Sequence, residues 1–165
     1  MSTAVGFALV AIAVVLQVSV LPAFSIFGAT PNLLIVLLVA WMTVRSQQEA
    51  LLLIPAAGFA QGLLDSQPLG LAMLALAPLI LMTEVRELKL VESNLLPAVV
   101  LTALATLVYE GVMMLALAVT GERMDWLAGL RDALLPAAIA NVLLLLPVYG
   151  LVRLASLDLR RQPAF

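Results

Sequence analysis

The sequence predicts an all-α integral membrane protein with six transmembrane helices. Three observations carry that expectation. Only 11% of the 165 residues are charged and 64% are hydrophobic, whereas a soluble domain carries about 25% charged residues. The apolar residues fall in six runs separated by polar, proline or glycine punctuation. These runs are rich in leucine and alanine and lack period-two alternation, which argues against a membrane β-barrel.

The first run, 4–21, has the length of a spanning helix, for which roughly 17 to 25 mostly apolar residues suffice. No Lys or Arg precedes it and no convincing small-residue cleavage site follows, so it reads as a retained helix and not a signal peptide. The second and third runs, 31–44 and 50–64, are short. At 1.5 Å per residue each reaches about 21 to 23 Å, less than a hydrocarbon core of about 30 Å. Local thinning, flanking side chains or a partly buried end would supply the difference. The fourth run covers 68–83, the fifth 94–119 and the sixth 133–154. Pro31, Pro68, Pro97 and Pro136 are expected in first turns, where a missing N–H is harmless. Pro78 and Pro147 fall inside helices and are expected to kink them. The whole chain, 1–165, reads as a single transmembrane domain.

Basic residues accumulate on the cytoplasmic side of a membrane. Arg45, Arg86, Lys89, Arg153, Arg160 and Arg161 fall in the even-numbered connections and the tail, against Arg123 and Arg131 in the odd-numbered ones. The asymmetry places both termini in the cytoplasm and needs an even number of spans. The outer connections are then tiny except for 120–132. A net charge of -2 gives nucleic-acid binding no electrostatic support. With Cys 0 and His 0 there is no disulfide, thiolate nucleophile, imidazole base or usual zinc ligand set. No nucleophile with a paired base is visible, so neither catalysis nor a metal or cofactor is expected.

Within this background the stretch 58–70 stands out. Gly58 and Gly62 have the small-xxx-small spacing that lets another backbone approach closely; internal packing is the first reading and a partner contact the second. Asp65 follows at the outer end of that helix, as a solvated turn residue, a cap for the helix near Pro68 or a contact that orders the outer face. Glu110 lies inside an apolar run, where an ionisable group is expensive and by default a functional candidate. Glu110 and Asn141 lie nearly equal distances along the chain on either side of Trp126. Antiparallel fifth and sixth helices would set them at similar depth, so a Glu110 to Asn141 hydrogen bond is expected, serving as a structural clamp or as a substrate or proton site. Gln17 and Gln61 fall near the outer face and with Asp65 would make a polar cluster, structural first because amides commonly tie helices together. Trp41, Tyr109 and Trp126 have interfacial or packing roles, and Trp126 suits the outer aromatic belt. Glu84, Arg86, Glu87 and Lys89 suit solvated i,i+3 pairs at the cytoplasmic end of the fourth helix.

In order along the chain, Leu16-Gln17, Leu21-Pro22, Pro31-Asn32-Leu33-Leu34, Gly58-Phe59-Ala60-Gln61-Gly62-Leu63-Leu64-Asp65 and Pro68-Leu69-Gly70 resemble the pattern of the rod-shape-determining MreD family. Length, the six-helix plan and cytoplasmic termini match along essentially the whole chain, with Asn32 standing where the family commonly has Asp. The resemblance implies a non-enzymatic, multi-pass component of the bacterial inner membrane in the elongation (rod) complex, which supports cell shape and peptidoglycan synthesis. It implies a fold similar to the substrate-binding (S) component of energy-coupling-factor transporters. The implied direct partner is MreC, with one membrane helix and an extracytoplasmic domain; RodA, its penicillin-binding transpeptidase and MreB belong to the wider assembly, and self-association stays open. On this reading Gly58 and Gly62 are the contact candidates, with Asp65, Pro68 and Gly70 beside them.

A reading from another class is a small-molecule-binding membrane subunit of an energy-coupling-factor vitamin transporter. Gln17, Gln61, Asp65, Glu110 and Asn141 would be the polar groups of its outward pocket. With only Trp 2 and Tyr 2, the chain lacks the aromatic and charged set a polar vitamin usually meets.

Overall fold

The segment Leu33–Val44 is apolar on every side, and a helix without a polar face belongs in a protein interior. The computed structural model, which describes residues 2–25, 28–44, 47–64, 70–85, 95–121 and 125–161, builds the molecule around it. The helices are α1 (Ser2–Ser19), α2 (Leu33–Val44), α3 (Gln47–Leu64), α4 (Leu71–Leu76), α5 (Pro78–Val85), α6 (Leu95–Val119), α7 (Trp126–Gly129) and α8 (Leu135–Arg161). Every residue from Leu34 to Thr43 is buried. Around this central helix α1, α3, the α4 and α5 pair, α6 and α8 follow one another, each packed on the next, and α1, α3, α6 and α8 pack directly on α2.

Helix lies over each of the six apolar runs. Two stretches, Leu95–Val119 and Trp126–Leu154, are long and apolar enough to cross a membrane, and the remaining apolar helices are shorter. The perimeter is apolar as well: Ile12, Leu52, Phe59, Leu81, Leu115 and Leu151 are all exposed. Large apolar side chains exposed on so many helices suit contact with lipid or with other proteins.

The prolines explain where the helices depart from the simple runs. Pro97 and Pro136 lie in the first turns of α6 and α8. Pro31, by contrast, lies ahead of α2, because Asn32 occupies the position that caps it. The expected kink at Pro78 is a break between α4 and α5. Pro78 has no N–H to give, and Ala77 N–H donates to the Met73 and Leu74 carbonyls at 3.0 and 3.3 Å, closing a tight turn. The α8 helix continues through Pro147. Just before Pro136, Leu130–Leu134 forms a π turn in which Leu135 N–H reaches back to the Leu130 carbonyl. In a regular α turn the Pro136 ring would crowd the carbonyl four residues back, and the wider turn gives it room. Ahead of this, Asp125 caps α7 by accepting from Leu127 N–H and Ala128 N–H at 3.1 and 3.2 Å.

The helix expected from Pro68 begins at Leu71, after Gly70 at φ 93°. Asp65 and Pro68 lie outside the described residues, as do Arg86, Glu87 and Lys89. Nothing lies within 4 Å of the point where a Gly70 side chain would start, so the requirement for glycine is one of backbone alone. Gly70→Ala is therefore expected to cost about 1 to 2 kcal/mol. Thermal unfolding of the detergent-purified protein measures this, and an unchanged midpoint would contradict it.

Candidate functional site

A helix leaves its first four N–H groups without intrahelical partners, and at most helix ends water takes them. The start of α2 has no such recourse, because Pro31 and Asn32 are buried. Side chains meet all four groups. Asn32 N–H donates to Asn141 Oδ1 at 2.6 Å and Leu33 N–H to Gln17 Oε1 at 2.7 Å. Leu34 N–H and Ile35 N–H both donate to Asn32 Oδ1, at 3.1 and 3.2 Å. Val36 N–H then makes the first intrahelical bond, to the Asn32 carbonyl at 3.3 Å.

The amides that supply these oxygens are held in turn. Gln17 Nε2 donates to the Pro31 carbonyl at 3.3 Å. Asn141 Nδ2 donates to Thr106 Oγ1 at 2.8 Å, and the Thr106 hydroxyl donates to the Thr102 carbonyl at 2.8 Å. A backbone N–H can only donate, so each amide must turn its oxygen toward α2, and the orientation is chemically consistent throughout. In this way α1, α6 and α8 are tied to one point on α2. Asn32 does its capping with a neutral oxygen, which spares the interior a charge.

Asn141 is thus committed to Asn32 and Thr106, and the expected Glu110 to Asn141 bond is not formed. The partner of Asn141 on α6 lies one helical turn before Glu110. Counting outward from Trp126 misplaced it because the connection is not symmetric: residues from Trp126 onward already fold as α7 and the π turn. Glu110 is half-buried, and among the described residues no hydrogen-bond or ion-pair partner reaches its carboxylate. Insertion scales put a charged side chain at the middle of a spanning helix at about 2.5 to 3.5 kcal/mol.

Gln61 is 4% exposed. Its Nε2 donates to Tyr109 Oη at 3.2 Å, while its Oε1 is buried with no partner among the described residues. Gln17 serves α2 and Gln61 serves α6, so these two do not form the expected outer cluster, and Asp65 lies outside the described residues.

Gly58 and Gly62 are both buried. A Cβ on Gly58 would stand 2.5 Å from Met73 Cα and 3.0 Å from Met73 N. The backbones of α3 and α4 therefore meet at Gly58, so this glycine serves internal packing, the first of its two readings, in place of the partner contact given as the second. Trp41 is a packing residue: it is buried and its Nε1 donates to Glu49 Oε2 at 3.1 Å. Trp126 is exposed at the start of α7.

Sequence reasoning missed Thr102 and Thr106, although hydroxyls spaced i,i+4 on one face of α6 were a usable signal. The cap that Asn32 forms carries no local signal, because it depends on α2 starting inside the protein. Neutral amides and hydroxyls make up this network, and among the described residues no group of three His, Cys, Asp or Glu side chains could hold a metal ion. Such an arrangement fastens helices. No curated protein and no solved structure matches the chain. The buried Pro31-Asn32 start, the glycine contact of α3 and the Gly70 turn all fall within residues 1–155, which match the family described as rod shape-determining protein MreD, and the chain belongs to that family.

Proposed function

We propose that this MreD family protein is a non-enzymatic scaffold of the bacterial elongation (rod) complex. It crosses the cytoplasmic membrane several times with both termini inside, binds MreC and holds it beside the peptidoglycan synthases RodA and its transpeptidase, with MreB in the wider assembly. Family membership brings the role in rod shape determination. The observation that carries the scaffold reading is where the polar groups go. Gln17, Asn32, Thr106 and Asn141 are spent on fastening the central helix, and the perimeter offers apolar helix faces instead of a reactive centre. In this reading the bundle around a short central helix is related to the S-component fold of energy-coupling-factor transporters.

A detergent pull-down of the tagged full chain from its own host is expected to return an MreC-like protein in stoichiometric amount. Recovery of paired ATPases with a transmembrane coupling subunit would instead establish the transporter reading. One observation favours that second reading, the buried Gln61 Oε1 without a partner among the described residues, which a ligand donor would satisfy. Ligand-dependent thermal stabilisation of the purified protein tests it directly.

Topology has its own test, since a chain with Cys 0 accepts single cysteines cleanly. Thr120→Cys is expected to react with an impermeant maleimide from outside spheroplasts, and Ser2→Cys only after permeabilisation. The reverse pattern would refute the orientation.

A further inference from the structure

We infer that Glu110 marks the docking line for a single membrane-spanning helix that carries a Lys or Arg in its outer half. The placement rests on the membrane scaffold reading above and specifies where on the bundle the partner lies.

Helix α6 has two unlike faces. Thr106 and Tyr109 are buried, and Leu104 and Leu115 are exposed on the opposite side. Glu110 is half-buried at the border between these faces, with Ala103, Leu107 and Gly111 half-buried around it. Nothing lies within 4 Å of the point where a Gly111 side chain would start, so α6 offers open space at the residue next to Glu110. The Thr106 to Asn141 bond sets the antiparallel register of α6 and α8, and one turn further along it places Ala137 and Ala138 opposite Glu110. Alanine and glycine flanking a polar group let another helix come close.

Charge complementarity selects the occupant. Apart from Gln61 Oε1, every fully buried side-chain oxygen and nitrogen among the described residues has a partner. Glu110 is different in kind, since it is half-buried at the border of the exposed apolar face of α6 and its carboxylate meets no partner among the described residues. A complement from outside the bundle would complete it, and a cation is the one that favours the ionised, acceptor-only form of the carboxylate. At 1.5 Å per residue Glu110 lies roughly 13 Å inside the end of α6, a depth that a spanning helix reaches and a soluble domain does not.

The test uses the full chain in its native membrane. A photo-crosslinking residue in place of Leu107 or Gly111 is expected to capture a single-span protein with a basic residue in its outer half, while the same residue in place of Phe59 on α3 does not. Glu110→Leu is expected to lower recovery of that protein about tenfold, with Glu110→Asp retaining most of it. The thermal midpoint of purified Glu110→Leu should not fall, which separates docking from a structural role. Equal recovery with wild type and Glu110→Leu overturns the docking line and leaves the scaffold reading standing, whereas absence of any single-span partner with wild type overturns both. Crosslinks to a second copy of the chain overturn it in favour of self-association. So does an equal loss on Arg123→Gln, which would assign the counter-ion to the outer connection of the chain itself.

Discussion

Replacing Asn141 with leucine is expected to destabilise the protein by about 2 to 4 kcal/mol. Two hydrogen bonds are lost, to Asn32 N–H and to Thr106 Oγ1, each of net value about 1 kcal/mol, and a buried main-chain N–H is left without an acceptor at about 1 to 3 kcal/mol more. Interhelical hydrogen bonds in a bilayer average only about 0.6 kcal/mol because the separated helices find substitutes, which places the expectation below the simple sum. Leucine cannot accept, and no water replaces the amide at a residue that is 0% exposed. Thermal or SDS unfolding in detergent reads the effect; a change under about 0.5 kcal/mol would show that the α2 start is satisfied in another way. Gln17→Leu removes one acceptor at a half-buried position, so its loss should be the smaller of the two.

Gly58→Ala is expected to cost about 1 to 3 kcal/mol, the usual range for overpacking. The methyl group meets main-chain atoms of Met73 at 2.5 and 3.0 Å, and main chain cannot swing aside as the end of a side chain can. Relief requires α4 to move away from α3, and Gly58→Leu should prevent the two helices from meeting. Expression as a monodisperse species and the thermal midpoint measure this, and a Gly58→Ala protein as stable as wild type would overturn it. One practical result is that any loss of a co-purifying partner on Gly58→Leu would track loss of fold and would not report a contact.

Much of the architecture was legible because hydrophobic runs bounded by proline and glycine mark helices in lipid and protein interiors alike. The short second run is the central helix, and its start is buried within the bundle. What stayed hidden depends on facts that are not local. That Pro78 divides a helix, when Pro147 lies within one, is decided by neighbouring structure that no window of sequence contains. Asn141 was singled out, but its register was one turn in error because a short helix and a π turn occupy the connection before it. The glycine pair was legible as a close-packing face; which helix it faces was not, since Met73 and Gly58 lie on different helices and nothing local to either marks the contact.

The dependence of α2 on Asn141 also orders the events of biogenesis. A ribosome delivers α2 before α8, so Asn32 N–H waits for its acceptor until α8 has been made. Until then the central helix has an unfinished end and no full set of neighbours. A chain that terminates before residue 141 therefore keeps, at the start of its most apolar segment, a main-chain N–H without its acceptor, and a helix made later completes one made earlier.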